Sequence, residues 1–187
     1  MTAPRAPGAA PASRGDATLS FEQANVIAML FIPAAILLVA AHGLLWGWAS
    51  VKEGFGDVFS WIFIPAFLLC VVLHEFLHAV GFALGGARRG TLHFGIDRKT
   101  FSPFAGCTMP LRATSYRLAV LLPALVLGFA PLAWGLATGT GWATIWGTFM
   151  LLAAGGDFAA LWAMRAVPGR ARVLDHTERV GCRVVAD

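Results

Sequence analysis

Residues 59–84 read FSWIFIPAFLLCVVLHEFLHAVGFAL and form an almost continuous apolar run. A transmembrane helix needs about 20 predominantly apolar residues, so this run predicts a membrane-spanning helix. Its polar centre consists of His74, Glu75 and His78, in the pattern His-Glu-x-x-His. Such side chains are costly inside a membrane and tend to mark function. The run therefore predicts both a span and a site within it.

Three further apolar runs of similar length occupy residues 25–48, 118–137 and 142–164. The apolar share of the chain is 58% and the charged share 13%, against roughly half and a quarter in a typical soluble domain. Prolines inside the runs are compatible with membrane helices. The sequence therefore predicts an all-α membrane protein, in which residues 21–164 form a bundle of four transmembrane helices.

The basic residues are distributed unequally between the connections of such a bundle. Of the 14 Lys and Arg residues, all but Lys52 fall on one side of the four spans. Basic connections lie on the cytoplasmic side of a membrane, so both termini are expected there. This topology accounts for the net charge of +4 without nucleic acid as a partner.

The segments outside the spans differ in character. Residues 1–20 are rich in Ala, Pro and Gly and are predicted to be a disordered cytoplasmic tail. Residues 165–187 are predicted to be a cytoplasmic C-terminal tail. Residues 91–97 alternate apolar and polar side chains, which is typical of a strand. Together with residues 101–109 they predict a small cytoplasmic β-hairpin between the second and third helices.

The His-Glu-x-x-His pattern has a specific chemical meaning on a helix. Residues four apart share one face, so His74 and His78 can point at one metal ion. Zinc takes such ligands and keeps a coordination position open for water in catalytic sites. Glu75 lies beside the pair and is the candidate general base toward that water. In soluble proteins the same pattern also occurs by chance on surface helices without a metal.

A third protein ligand is usual for a catalytic zinc, and the best candidate is Asp157. It is the only charged residue within residues 142–163. His74 and Asp157 each lie 15 positions after the start of their runs, at Phe59 and Trp142. Because the second and fourth spans run in the same direction, the two side chains should share a depth near the cytoplasmic face. The alternative is a carboxylate bonded to a neighbouring helix for structure alone.

Other residues are weaker candidates for the site. His42 lies near the external end of the first span and is interpreted as interfacial. His93 lies on the predicted hairpin and could approach the metal. Asp175 and His176 could fold back on the cytoplasmic mouth of the site, although a capped turn is the simpler interpretation. Cys107 could ligate zinc, but packing explains it as well.

Several segments together resemble a known family, the putative zincin peptidases, which are small prokaryotic membrane proteins. The resemblance runs from about residue 59 to 181 and rests on HEFLHAVGFAL, CTMPL at 107–111, Tyr116-Arg117, Pro123 and Gly156-Asp157. More distantly, the chain is similar to site-2 proteases. In those, an intramembrane His-Glu-x-x-His pairs with an aspartate from a later span, and strands next to the motif present the substrate.

The resemblance implies that His74, His78 and Asp157 bind Zn²⁺ and that Glu75 is the catalytic base. It implies a prokaryotic plasma-membrane protein whose substrate is a membrane protein or peptide. The aspartate of site-2 proteases usually lies in a Leu-Asp-Gly segment, whereas here it lies in Gly-Gly-Asp-Phe. The Asp175-His176 segment also resembles the family, without an assigned role.

The leading interpretation is a membrane-embedded zinc metalloendopeptidase that hydrolyses a peptide bond near the cytoplasmic face. A second is a non-proteolytic membrane protein that binds metal, either a sensor or an inactive relative. A third is a four-span transporter with histidine and aspartate proton relays. Substrate and oligomeric state have no signal in the sequence.

Overall fold

The computed structural model describes residues 13–96, 103–176 and 179–185. Most of the described chain is helical. The helices are α1 (Phe21–Met29), α2 (Ile32–Trp46), α3 (Trp48–Val58), α4 (Phe63–Leu84), α5 (Ala113–Pro123), α6 (Ala130–Thr138), α7 (Gly141–Ala153) and α8 (Gly155–Ala163). A π-helical segment, Ala124–Phe129, joins α5 to α6.

Three helical stretches of the described chain are long and apolar enough to cross a membrane: Phe21–Trp46, Phe63–Leu84 and Ala113–Thr138. The pair α7 and α8 makes a fourth if its two helices, bent by 47°, count as one span. These stretches correspond to the four apolar runs of the sequence, with shifted ends. The first is interrupted at Leu30 and Phe31, just before Pro33. Proline has no N–H to donate, and its ring clashes with the preceding turn, so it interrupts the backbone hydrogen bonds of a helix.

Helix α3 has no counterpart in the predicted bundle, because residues 49–58 read as a loop between spans. It packs against α7, and the contact depends on small residues. A Cβ atom on Gly54 would lie 2.4 Å from the backbone carbon of Gly141. Glycines allow two helix backbones to approach this closely.

The structure contains two small antiparallel sheets, whereas the sequence predicts a helical bundle with a single β-hairpin. One has four strands in the order β1-β6-β5-β4, formed by β1 (Ser13–Leu19), β4 (Leu111–Arg112), β5 (Arg172–Asp175) and β6 (Val180–Val185). The other pairs β2 (Leu92–Ile96) with β3 (Pro103–Cys107), where the sequence predicts a hairpin. Residues 97–102 between them lie outside the described part.

The two predicted tails supply most of the four-stranded sheet. Residues 13–19 pair with β6 from Ser13 opposite Val185 to Leu19 opposite Val180, so the prediction of disorder is wrong for them. Residues 1–12 lie outside the described part. Strand β1 forms by pairing with β6, which lies near the other end of the sequence. The local composition of residues 13–19 carries no signal for such a distant pairing. Val173 and Cys182 of the sheet are fully buried in one core with Tyr116 and Met164, so the sheet closes one end of the helices.

His42 is not interfacial but fully buried, in a polar network between α2, α3 and α7. The Ser50 hydroxyl donates its proton to the carbonyl of Gly139 at 3.0 Å. His42 Nε2 lies 3.0 Å from the same hydroxyl and therefore donates a hydrogen bond to it. The Thr144 hydroxyl then donates to His42 Nδ1 at 2.8 Å. Both ring nitrogens have a protein partner, so His42 has a structural role.

We expect His42→Ala to lower the free energy of unfolding by about 1–3 kcal/mol, because it leaves the buried Thr144 hydroxyl without its acceptor. Thermal unfolding in detergent measures this loss, with exposed Thr138→Ala as the control. Zinc content should stay at the wild-type value. A variant that loses zinc at unchanged stability would contradict the structural role.

Candidate metal centre

Helix α4 brings the two motif histidines together on one face. Their ring centroids are 4.8 Å apart, with the rings nearly perpendicular. This arrangement follows from the spacing of four residues, which returns to the same side of a helix after about one turn. The opposite face of α4 is apolar and exposed, as at Phe76. The pattern of residues therefore divides α4 into a site face and an outer face.

Asp157 approaches these histidines from the first turn of α8. The bend of 47° between α7 and α8 lies at Ala154. Gly155, next to the bend, packs so closely on α1 that a Cβ atom would lie 2.5 Å from the Cβ of Ala28. The bend and this contact position the aspartate. Its carboxylate oxygens lie 3.0 Å from His74 Nε2 and 3.3 Å from His78 Nε2.

The three residues could hold one metal ion, since a ligand atom from each lies within 4.8 Å of the others. His78 Nδ1 lies 3.0 Å from the Ala119 carbonyl, which can only accept, so this nitrogen carries a proton. In the neutral ring, Nε2 then presents a lone pair toward the Asp157 carboxylate. Such a hydrogen bond from the far nitrogen is typical of metal-binding histidines.

Asp157 Oδ2 gives a second indication that these residues fit a metal. It lies within ion-pair distance of His74 Nε2, yet it has no hydrogen bond of acceptable geometry within the described chain. A metal ion between these atoms would satisfy them, because histidine and carboxylate ligands bind metal in their deprotonated forms. One proton serves a single pair of atoms, whereas one metal ion serves all three residues.

Glu75 is not part of this triangle. Its carboxylate turns toward strand β3, where Oε2 accepts a hydrogen bond of 2.6 Å from the backbone N–H of Ala105. A carboxylate that is fixed through one oxygen keeps the other oxygen available for a proton. The glutamate is therefore held beside the candidate metal ligands by the hairpin.

These residues line one cavity of about 690 Å³. Its walls come from α1, α4, α5, α7, α8 and both sheets. Helices α4 and α7 contribute apolar residues to the wall, for example Phe67, Val71 and Met150, and the sheets add polar residues such as His93 and Asp175. A cavity with an apolar wall and a few converging polar groups is the usual form of a ligand site.

The model of one protein family, described as putative zincin peptidase, matches residues 67–172. The match covers more than half of the chain. The chain belongs to this family. Membership implies a metallopeptidase and implies zinc as its metal. No curated protein and no solved structure matches the chain significantly.

In this zincin family member, the residues that the sequence indicates as weaker candidates for the site fall into two groups. His93, Asp175 and His176 line the same cavity as the candidate ligands. Cys107 also borders the cavity, but its Sγ donates to the carbonyl of Met109 at 3.5 Å and lies outside the group of candidate metal ligands. Sulfur chemistry is not supported at Cys182 either, because burial raises the pKa of its thiol to about 12.

Three contributors to the site were not predicted from the sequence of this zincin family member. The carbonyl of Ala119 and the N–H of Ala105 act through the backbone, so no side-chain pattern could indicate them. The sequence indicates Tyr116 only through the family resemblance, and its hydroxyl donates to Asp175 Oδ1 at 2.7 Å. A buried tyrosine that needs a partner for its hydroxyl was the available signal.

Proposed function

We propose that this protein is a membrane-embedded zinc metalloendopeptidase, which hydrolyses a peptide bond near the cytoplasmic membrane face. The observation that carries the proposal is the convergence of His74, His78 and Asp157 donor atoms, with Glu75 next to them in a shared cavity. Family membership supports the reaction class. The roles of these individual residues are part of the proposal.

The outer surface of α4 supports a membrane location. Ile64, Leu68, Val72 and Phe76 lie four residues apart, and each is more than half exposed. Large contiguous apolar surface is rare on soluble monomers and is typical of contact with lipid. The metal-binding face of the same helix then points away from lipid, into the cavity. The concentration of Arg residues beyond the C-terminal end of α4 supports a cytoplasmic position for that end.

Zinc, when bound by His74, His78 and Asp157, would supply Lewis-acid activation of water and of the scissile carbonyl. Glu75 takes a proton from the attacking water, whose oxygen forms a bond to the carbonyl carbon. Glu75 then passes this proton to the amide nitrogen as the C–N bond breaks, so that an acid and an amine are released. The Ala105 N–H keeps the Glu75 carboxylate in place during both transfers.

The substrate class in this proposal is a peptide or a membrane protein segment in extended form. Strand β3 borders the cavity along the edge that faces away from β2, where the Ala105 N–H already binds Glu75 and a substrate would pair with neighbouring backbone groups. An extended chain that lies along a strand edge gains backbone hydrogen bonds. The apolar part of the cavity wall suits the side chains of a membrane segment.

The test combines metal analysis with cleavage by the purified full-length protein. We expect about one zinc per chain for a site with three protein ligands, and cleavage of unstructured casein or single-span membrane peptides in mass spectra. Removal of zinc by a chelator should abolish cleavage, and added zinc should restore it. Wild type without zinc would refute the proposal. Bound zinc without any cleavage would favour the non-proteolytic metal-binding alternative.

Ala105→Pro should lower kcat by about tenfold, because it removes a hydrogen bond to a charged group and little else. The N–H of Ala105 points to Glu75 rather than to β2, and Pro103 already occupies the equivalent register two residues earlier. A proline is tolerated where the N–H faces away from the partner strand. Ala105→Gly retains the N–H and is the matched control. Equal kcat values for the two variants would contradict this role.

A further inference from the structure

A second group of polar residues lines the cavity without a part in the proposed zinc and base chemistry. It includes His93 on β2, Asp175 at the end of β5 and Tyr116 on α5. Three separate elements therefore direct ionisable or hydroxyl side chains into the space that holds His74, Glu75 and His78. These three residues are far apart in the sequence, so the fold itself assembles them.

The Tyr116 and Asp175 side chains are locked together. The Tyr116 hydroxyl donates to Asp175 Oδ1 at 2.7 Å, and the tyrosine ring is buried against Phe82. Burial raises the pKa of the Asp175 carboxyl, and the Tyr116 hydrogen bond and the His93 ring act in the opposite direction by stabilising its charged form. The hydroxyl of Tyr116 is committed to Asp175, which leaves His93 as a donor for a substrate.

The other oxygen of Asp175 turns toward His93 above Gly106. A Cβ atom on Gly106 would lie 2.6 Å from both Cε1 and Nε2 of His93 and 2.8 Å from Asp175 Oδ2. The imidazole and the carboxylate thus both lie over strand β3, above a position that only glycine leaves open. Phe104, whose ring centroid is 5.8 Å from that of His93, packs edge-on against the imidazole.

The hairpin places this histidine close to the proposed base. Ala105 donates its N–H to Glu75, and the adjacent residue, Gly106, lies under His93. Successive Cα atoms are about 3.8 Å apart, so both groups border the same stretch of the cavity. His93 is nevertheless outside the group of candidate metal ligands found within the described residues.

Peptide hydrolysis creates negative charge on the scissile carbonyl oxygen. A preorganised hydrogen-bond donor at that oxygen lowers the free energy of the transition state substantially. A histidine ring carries at least one N–H donor in every protonation state. We propose that His93 is a further catalytic residue, which donates a hydrogen bond to this oxygen, and that Asp175, held by Tyr116, is its positioning residue. This inference rests on the proposed function of the site.

His93→Ala should lower kcat by about 100-fold, the effect typical of removing one such donor. Zinc content should remain at the wild-type value. Asp175→Asn, which keeps an acceptor for Tyr116 but removes the charge beside His93, should give a smaller loss in kcat with KM unchanged. Phe94→Ala is the matched control, because this strand neighbour is 61% exposed and lies opposite Ala105 rather than over Gly106.

The second readout is ligand binding rather than turnover. A peptide phosphonamidate carries anionic oxygens at a tetrahedral centre, so it resembles the charged state that His93 would stabilise. Its affinity for cobalt-substituted protein, followed by visible absorption, should fall about tenfold or more in His93→Ala. The affinity for the uncharged peptide of the same sequence should stay unchanged. His93→Gln retains an N–H donor and should recover part of the lost affinity.

The outcomes separate this inference from the function on which it rests. If wild type binds no metal, or if Glu75→Gln cleaves like wild type, the proposed function fails and the role of His93 fails with it. If those two results hold but His93→Ala cleaves and binds the phosphonamidate like Phe94→Ala, only the role of His93 is overturned. Equal phosphonamidate affinities for His93→Ala and His93→Gln would also overturn it, whether or not either variant is less stable.

Discussion

Glu75→Gln should lower kcat for peptide cleavage by about 10³-fold, within the range typical for loss of a general base. The amide has the size of the carboxylate, and its oxygen can still accept the Ala105 N–H. It cannot take a proton from water. Because Glu75 lies outside the group His74, His78 and Asp157, the variant should retain zinc at the wild-type ratio.

Glu53→Gln is the matched control for this experiment. Glu53 is exposed on α3 and does not line the cavity, so the same change of charge there should leave kcat and zinc content unaltered. Initial rates on one defined peptide, with zinc measured by mass spectrometry on the same samples, give both values. Cleavage by Glu75→Gln at the wild-type rate would exclude Glu75 as the base.

Asp157→Ala should reduce zinc affinity by more than about 100-fold. Loss of a residue that only hydrogen-bonds to a metal ligand can cost roughly 100-fold, and this variant removes a proposed ligand itself. Only two histidines would remain, and a catalytic zinc usually has three protein ligands. Zinc affinity is measured by competition with a chromogenic chelator. The exposed residue Asp57 on α3 offers the control Asp57→Ala.

The same variant distinguishes a ligand from a purely structural carboxylate. A ligand predicts that metal-free wild type and metal-free Asp157→Ala melt at similar temperatures and that zinc stabilises wild type alone, because a ligand that binds only the folded state raises its stability. A structural carboxylate predicts early melting of the metal-free variant instead. Asp157→Ala with unchanged zinc affinity would remove Asp157 from the metal site.

The parts of the site that sequence could indicate are those with a local signal. His74, Glu75 and His78 stand out because three ionisable residues interrupt an apolar helix, and helical spacing alone aligns the two histidines. Asp157 stands out as a single acid in another apolar run. The structure brings His74, His78 and Asp157 within ligand distance of one another. Which metal they bind, and with what effect, stays a prediction.

The features that sequence could not indicate depend on distant partners. Strand β1 exists because β6 lies beside it, and its composition alone resembles a disordered segment. The bend at Ala154 and the helix α3 depend on close contacts of Gly155 with Ala28 and of Gly54 with Gly141. The apolar pattern predicts four spans, whereas these glycine contacts determine how the helices are broken and packed.

The pairing of β1 with β6 has a consequence for synthesis on the ribosome. Ser13 lies opposite Val185, so this sheet cannot close until nearly all of the described chain has been made. Pairing between such distant segments is intrinsically slow. Strand β5, which carries Asp175, lies between β6 and β4 and completes the polar wall of the cavity. The cavity therefore lacks its finished polar wall until translation has passed β6.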